Sequence, residues 1–139
     1  MNRLDTLEPG FRETTAHLLQ AATTATGYQW VIISGRRTMA EQKEIYAQGR
    51  TKPGKVVTNA APGSSAHNFG LAADVAPLRN GKIWWGAPRE VWRQMADLAQ
   101  GMGLVAGFYF TTIFDAPHIE APNWRDVRAA WRRGEISIA

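Results

Sequence analysis

Two short segments of the chain combine histidine with carboxylate side chains in polar, turn-rich surroundings. Residues 65–74 contain His67 and Asp74, and residues 115–120 contain His118. The chain has three histidines and no cysteine, so a metal site must be built from His, Asp or Glu. A catalytic zinc takes three protein ligands and leaves a fourth position to water. Two histidines and one aspartate would complete that set.

The spacing between His67 and Asp74 requires the chain to turn between them. On one straight strand, an odd spacing of seven would send the side chains to opposite faces, about 23 Å apart along the strand. Gly70 lies between them and tolerates the backbone conformations of a turn. We therefore expect a turn at Gly70, and we expect His118 to reach the same point from a neighbouring strand.

Asp115 lies three residues before His118, with Pro117 restricting the backbone between them. A carboxylate so near a metal ligand can take the proton of an attacking water and pass it to the leaving amine, so we predict that Asp115 is the general base and then the general acid. Arg37 is the predicted cation for the oxyanion of the transition state. Two alternatives stay open: Asp115 as a turn residue before proline, and Arg37 as the partner of a surface carboxylate.

The remaining histidine and one acidic residue carry weaker signals. His17 sits inside a helical pattern without a neighbouring carboxylate motif, and we predict a structural role for it. Glu120 either orients a metal ligand from behind or faces solvent.

Periodic apolar positions and capping residues predict four helices around these segments. They are expected from Pro9 to Gly27, from Thr38 to Tyr46 with an end near Gly49, from Pro88 to Gly101 or Gly103, and from Asn123 to Arg133. The apolar run Trp30–Ile33 predicts a buried central strand. Residues 49–65 lack periodicity and predict a long irregular loop, a type of loop that is usually functional.

Length and composition predict one domain. The chain has 139 residues, 45% of them apolar, and it shows no repeat and no linker, so we expect a single domain over residues 1–139 without a separate substrate-anchoring module. The net charge of +4 and the pI near 9.9 favour an anionic partner without identifying it. No membrane-spanning run or signal-peptide pattern is present, so we expect the chain to be soluble and cytoplasmic when made.

The last predicted helix is basic and amphipathic. Trp124, Val127 and Trp131 fall on one side, and the arginines fall elsewhere. Either this helix packs its tryptophans on the core and exposes its arginines to solvent, or it contacts an anionic wall or membrane.

Three ordered motifs resemble those of the zinc D-alanyl-D-alanine carboxypeptidases and L-alanyl-D-glutamate endopeptidases. They are the Ser34–Thr38 segment SGRRT, the SxHxxGxAxD pattern of residues 65–74 and the DxPH pattern of residues 115–118. Residues 49–74, GRTKPGKVVTNAAPGSSAHNFGLAAD, look like the endopeptidase branch, which includes many phage endolysins. The resemblance implies an α+β fold, a small antiparallel sheet with flanking helices, similar to the zinc DD-peptidase and hedgehog-like fold.

The resemblance also implies roles for individual residues. These are zinc ligation by His67, Asp74 and His118, acid/base catalysis by Asp115, a substrate or oxyanion contact by Arg37, support from Ser65, and characteristic family positions at Gln42, Tyr46 and Thr58. The implied activity is hydrolysis of the L-Ala-D-Glu bond of peptidoglycan stem peptides by a lysin of the host wall. Asp rather than Glu at position 115 favours this endopeptidase. The alternatives are a D-Ala-D-Ala carboxypeptidase and a non-catalytic wall-binding domain of the same fold.

The chain departs from the resembled pattern at two places. Residues 103–109 lack the tryptophan of a tryptophan-glycine-glycine-like segment, so we expect Trp84 and Trp85 to form part of that substrate wall. Arg36 stands where an aromatic residue is usual. By analogy with endolysins we expect a monomer made in the host cytoplasm, without a specific nucleic-acid partner, that reaches the wall through a holin-like pore.

Overall fold

The computed structural model describes residues 3–138 and alternates helices with short strands. The helices and strands are α1 (Pro9–Thr26), β1 (Trp30–Ser34), α2 (Met39–Ala47), β2 (Ala72–Arg79), β3 (Lys82–Ile83), α3 (Arg89–Gly101), β4 (Val105–Ala106), β5 (His118–Glu120) and α4 (Trp124–Arg132). Single-turn 3-10 helices cover Arg3–Thr6, Ala66–Phe69 and Gly107–Tyr109. The four predicted helices are confirmed within one or two residues at most ends, as is the irregular loop that follows α2.

The strands form one antiparallel sheet in the order β1-β2-β5-β4, and β3 folds back on the far end of β2. This arrangement confirms the predicted α+β class. The prediction of a central strand at Trp30–Ile33 is wrong, because β1 lies at the edge of the sheet and only Trp30 is fully buried. An apolar run of four residues does not distinguish a central strand from an edge strand covered by α1, and here β2 is the central strand.

The core lies between the sheet, α1 and α3. On α1, Phe11, Thr15, Leu18 and Ala22 are buried at the predicted helical spacing. On α3, Met95 is completely buried together with Trp92, Ala96 and Ala99, whereas the expected Val91 and Leu98 are only partly buried. The buried face of α3 is therefore rotated relative to the sequence prediction, because Trp92 packs edge-on against Trp30 of β1.

Local hydrogen bonds determine where the helices beside the site begin. The Thr38 hydroxyl accepts from the Glu41 N–H at 3.1 Å, and the Glu41 carboxylate accepts from the Thr38 N–H at 3.0 Å. This reciprocal pair is the predicted capping box, and it starts α2 immediately after Arg37. The capping box therefore holds the segment between β1 and α2 in place beside the sheet.

The terminal helix α4 packs its tryptophans on the core. Trp124 is buried and stacks on Phe69 with ring centroids 6.4 Å apart, and Trp131 meets the same ring edge-on at 5.6 Å. The helix thereby supports the 3-10 helix Ala66–Phe69, in agreement with the packing prediction. No helix within residues 3–138 is long and apolar enough to cross a membrane.

Candidate metal centre and active site

His67 is presented by the 3-10 helix Ala66–Phe69, whose two ends are determined by the sequence. The Ser65 hydroxyl accepts from the His67 N–H at 3.2 Å and caps the start of the helix. Gly70 ends it in the left-handed conformation, with φ at 69°, and the chain then enters β2. The predicted turn at Gly70 is confirmed, and Ser65 lies where it supports the His67 backbone.

Asp74 and His118 face each other across neighbouring strands. They are directly opposite in the antiparallel register of β2 and β5, and residues in that relation project from the same face of a sheet. The His118 Nδ1 atom lies 3.4 Å from Asp74 Oδ1, and the His67 Nε2 atom lies 3.7 Å from Asp74 Oδ2. The three predicted ligands converge, with one donor atom from each residue within 4.8 Å of the others.

Each imidazole is oriented through its second nitrogen. His67 Nδ1 lies 2.9 Å from the Gly35 carbonyl oxygen, and His118 Nε2 lies 2.7 Å from Glu120 Oε1. Both acceptors require an N–H on the nitrogen they face, which leaves His67 Nε2 and His118 Nδ1 with a free lone pair in the neutral rings. These are the two nitrogens that point toward Asp74, so the tautomers suit metal ligation.

The donor set fits zinc. Bonds of about 2.0–2.2 Å in a tetrahedral site place ligand atoms about 3.4 Å apart. His118 Nδ1 lies 3.4 Å from Asp74 Oδ1, His67 Nε2 lies 3.7 Å from Asp74 Oδ2, and one ligand atom from each residue lies within 4.8 Å of the other two. Two neutral imidazoles and one carboxylate are also a known catalytic zinc combination, three protein ligands with one position left over. His67, Asp74 and His118 therefore form a possible metal-binding site.

Without metal, burial and the neighbouring charged groups act in opposite directions on the pKa values of the site. Burial disfavours the charged form of His118, but Asp74 and Glu120 outweigh burial and raise the pKa of this imidazole to about 9. Burial lowers the pKa of His67 below its usual value. Burial also opposes ionisation of Asp74, but the contacts with His118 and His67 hold the pKa of its carboxyl below the ordinary value. A metal ion must therefore displace a proton from His118 at neutral pH.

Asp115 lies at the edge of this centre. Its Oδ2 atom is 4.0 Å from His118 Nδ1, the nitrogen that faces the metal position, and its side chain is 47% exposed. A carboxylate at this distance can act through a single water molecule. Burial raises the pKa of the Asp115 carboxyl above its ordinary value. The Asp115 carbonyl also accepts from the His118 N–H at 3.1 Å, so the residue both forms the predicted turn and directs its carboxylate to the site.

Arg37 lies beside the metal ligands and is held by Gln42. Its Nη1 donates to Gln42 Oε1 at 3.0 Å, and its backbone N–H donates to the His67 carbonyl at 2.9 Å. Gln42 is fully buried and donates to the Ala60 carbonyl at 2.6 Å. Among the described residues, no carboxylate forms an ion pair with Arg37, so the alternative of a surface ion pair finds no partner there.

Asn68 is a buried residue of this site that the sequence analysis missed. Its Oδ1 accepts from the backbone N–H groups of Gly63 and Ser65 at 3.1 and 3.3 Å, and its Nδ2 donates to the Arg37 carbonyl at 3.0 Å. It thereby ties the loop before His67 to the segment that carries Arg37. Its only sequence signal was its position three residues after Ser65, where an amide can complete a capping box.

Glu120 connects the metal centre to the terminal helix. It is buried, it contacts His118 Nε2, and its Oε2 accepts from the Trp124 indole N–H at 2.7 Å. These contacts hold the pKa of the carboxyl below its ordinary value, although burial acts in the opposite direction. Of the two open roles, the geometry matches that of a residue that orients His118. The sequence analysis missed the hydrogen bond from Trp124 to Glu120, because the spacing of Trp124 with other apolar residues predicted only that it packs on the core.

A cleft of about 720 Å³ opens beside Asp115. Its walls come from the irregular loop, including Thr58, and from the loop around Phe110, whose ring lies 5.7 Å from His118. Tyr46 lies beneath the irregular loop, where Arg50 stacks on its ring at 3.9 Å and donates to the Thr58 carbonyl. The long loop therefore forms a wall of the site.

The two tryptophans expected in the substrate wall lie apart from each other. Trp85 is exposed and lines a second, smaller pocket that shares Asp115 with the cleft. Trp84 instead packs on Tyr28, with ring centroids 4.8 Å apart. Only Trp85 is thus placed beside Asp115.

Two other residues lie away from the metal position. Arg36 donates from Nε to the Thr6 carbonyl at 3.2 Å and from Nη2 to the Phe69 carbonyl at 3.5 Å. It thereby links the N-terminal segment to the 3-10 helix that carries His67. His17 is exposed on α1 and is not part of the metal-ligand cluster.

Sequence comparisons identify the family of the chain and a relative. Residues 5–122 match the family model described as VanY, D-alanyl-D-alanine carboxypeptidase. The chain is 38% identical over 117 residues to the peptidoglycan L-alanyl-D-glutamate endopeptidase CwlK of Bacillus subtilis. This alignment covers 78% of this chain and 70% of CwlK.

Solved structures share the fold at lower identity. The L-Ala D-Glu endopeptidase ChiX of Serratia marcescens has a TM-score of 0.61 and 22% identity, covering 91% of this chain and 87% of ChiX. A mutant of the D,D-pentapeptidase VanY from the VanB-type vancomycin resistance cassette, in complex with Zn(II), has a TM-score of 0.60 and 20% identity over 92% of this chain and 79% of that one. The predicted family is confirmed, and this chain belongs to the VanY family of D-alanyl-D-alanine carboxypeptidases.

Proposed function

We propose that this protein is a zinc-dependent endopeptidase that hydrolyses the L-Ala-D-Glu bond of peptidoglycan stem peptides. The observation that carries the proposal is the convergence of His67 Nε2, Asp74 and His118 Nδ1 on one point, with the Asp115 carboxylate beside it. Two relatives support the choice of bond, since CwlK and ChiX are both described as L-Ala-D-Glu endopeptidases. The Zn(II) complex of the VanY relative and the fit of the donor set support the choice of metal.

The proposed chemistry divides between the metal and the residues around it. These three side chains would hold zinc, which would supply a more acidic water and a Lewis acid for the scissile carbonyl. Asp115 takes the proton from the attacking water and gives it to the departing amine. Burial raises the pKa of its carboxyl, which favours the first step, because a carboxylate with a higher pKa is a stronger base toward the attacking water. Arg37, positioned by Gln42, supplies positive charge near the developing oxyanion.

The test is digestion of purified sacculi followed by analysis of the new peptide ends. The proposal expects new C-terminal L-Ala and new N-terminal D-Glu in equal amounts, loss of both on chelation, and recovery when zinc is added back. Intact sacculi after incubation with zinc-loaded protein would reject the proposed activity.

A second candidate is a D-Ala-D-Ala carboxypeptidase, because this is the printed activity of the family model. The same digestion separates the two, since a carboxypeptidase releases free D-alanine and creates no new amino terminus. A non-catalytic wall-binding domain is disfavoured by Asp115, which a binding module has no need to place beside a metal.

We further propose that the enzyme acts as a phage-type endolysin on a Gram-negative wall, and that it reaches the wall through a holin-like pore. The similarity of residues 49–74 to the endolysin branch supports this proposal, and the exposed arginines of α4 suit an anionic wall. Expression in a Gram-negative host should leave growth normal until the inner membrane is permeabilised, and lysis should then follow within minutes. Lysis without permeabilisation would contradict the pore requirement.

A further inference from the structure

The cleft beside Asp115 contains one basic side chain among the residues that line it, Arg125 in the first turn of α4. The same cleft is lined by polar side chains that suit a peptide backbone, Thr58, Asn59, Thr111 and Thr112. Asp115 and Arg125 therefore share one cavity of about 720 Å³. A substrate that occupies this cavity can therefore contact both side chains.

Arg125 rests on an aromatic ring, and its positive charge contributes to the lowered pKa of the Glu120 carboxyl without an ion pair between the two side chains. Its guanidinium carbon lies 4.6 Å from the centre of the Trp124 ring. Trp124 is itself buried and donates its indole N–H to Glu120, the residue that contacts His118. Within residues 3–138, Arg125 forms no ion pair, whereas Arg93 and Arg133 both pair with carboxylates. The guanidinium thus keeps its donors available while its face rests on an ordered ring.

We infer that Arg125 binds the free carboxylate of the D-glutamyl residue that follows the scissile bond. This assignment rests on the proposed endopeptidase function. Glutamate has two carboxyl groups and uses one of them to continue the peptide, so the other stays anionic unless it is amidated. A planar guanidinium binds a carboxylate through two parallel hydrogen bonds. Arg125 thereby selects stem peptides with an acidic residue after L-Ala.

Two other arginines near the site, Arg89 and Arg128, are less suited to this role. Arg89 lies over the rings of Phe108 and Phe114, at 4.7 and 5.0 Å, and lines the pocket that contains Trp85 instead of the cleft. Arg128 rests on the Trp124 ring at 5.0 Å but does not line the cleft. Arg128 is therefore a matched control for Arg125, since it carries the same charge, lies on the same helix and contacts the same Trp124 ring.

The experiment compares two synthetic muropeptides that differ only in the free carboxyl of D-glutamate, which is ionised in one and amidated in the other. Loss of a charge-assisted hydrogen bond typically costs a factor of about 10 to 100, so zinc-loaded wild-type enzyme should prefer the ionised substrate by that factor in kcat/KM. Arg125→Gln should remove the preference, mainly through KM. Arg125→Lys should retain part of it, and Arg128→Gln should retain all of it. Zinc content and melting temperature should be unchanged in each variant.

Each outcome bears on a different part of the account. A wild-type enzyme that cleaves both muropeptides equally, or an Arg125→Gln enzyme that keeps the preference, would overturn the role of Arg125 and leave the endopeptidase function intact. If Arg128→Gln lost the preference as fully as Arg125→Gln, the preference would come from the overall positive charge of α4 and not from a contact between Arg125 and the carboxylate. Failure of the wild-type enzyme to cleave either peptide would overturn the endopeptidase function and this assignment with it.

Discussion

Replacement of Glu120 by glutamine tests whether the orientation of His118 determines the metal affinity. Glu120 accepts from two donors with two separate oxygens, His118 Nε2 at 2.7 Å and the Trp124 indole N–H at 2.7 Å. A glutamine amide offers one acceptor oxygen and one NH₂ group. In Glu120→Gln, one of the two buried N–H donors therefore loses its acceptor and meets another donor.

The size of the effect follows from the burial of the pair. Glu120 is 7% exposed and His118 is 8% exposed, so water neither screens the contact nor replaces it. A hydrogen bond to a charged group contributes about 1.5–3 kcal/mol, which corresponds to about 10- to 100-fold in a dissociation constant. Loss of such a partner of a metal-ligating histidine typically has an effect of the same size, about 10- to 100-fold.

The measurement is a zinc competition titration of wild-type protein and Glu120→Gln against a chelator of known affinity. Glu44→Gln is the matched control, because it makes the same change at an exposed carboxylate of α2, one that pairs with Lys52. We expect weaker zinc binding for Glu120→Gln and no change for Glu44→Gln. A Glu120→Gln dissociation constant within about twofold of the wild-type value would refute the orienting role.

Three further predictions address the base, the protonation of the site and the turn. Asp115→Asn should lower kcat by about 10²- to 10⁴-fold, the usual contribution of general acid–base catalysis, while bound zinc measured by elemental analysis stays at the wild-type level. The metal-free protein should lose about 2.4 kcal/mol of unfolding free energy as the pH rises from 7 to 9.5, because protonated His118 has a pKa of about 9 when folded and about 6.5 when unfolded. Urea denaturation should show this loss in the wild-type protein, and the His118→Asn variant should not show it. Gly70→Ala should lower the unfolding free energy more than Gly81→Ala. Both glycines have a positive φ, but of the two only Gly70 has atoms close to the position of an added Cβ, the nearest being Arg36 Nη2 at 2.9 Å. Equal losses in the two variants would contradict this reasoning.

The convergence of the predicted metal ligands could be inferred from sequence in part, because two of the three lie in one local motif. His67 and Asp74 lie in one motif with Gly70 between them, and the glycine has the positive φ that the turn needs. The reciprocal cap of Thr38 and Glu41 was predictable for the same reason, since its partners are three residues apart. Short-range patterns of this kind indicate both the residue types and the local backbone geometry that brings them together.

The parts that sequence reasoning missed depend on pairs that are distant in the chain. The position of β1 at the sheet edge follows from its pairing with β2 more than 35 residues later, which no local pattern contains. Asn68 contacts the backbone of Arg37 across 31 positions. The indole N–H of Trp124 gives no sequence signal that distinguishes a hydrogen bond to Glu120 from simple packing.

The central claim is that one zinc ion is held by three side chains from the 3-10 helix, β2 and β5. A crystal structure of the zinc-loaded protein, with anomalous data on both sides of the zinc absorption edge, tests it directly. We predict a single strong anomalous peak within about 2.0–2.2 Å of His67 Nε2, an Asp74 carboxylate oxygen and His118 Nδ1. A peak elsewhere, or an ion in contact with fewer than these three residues, would contradict the account.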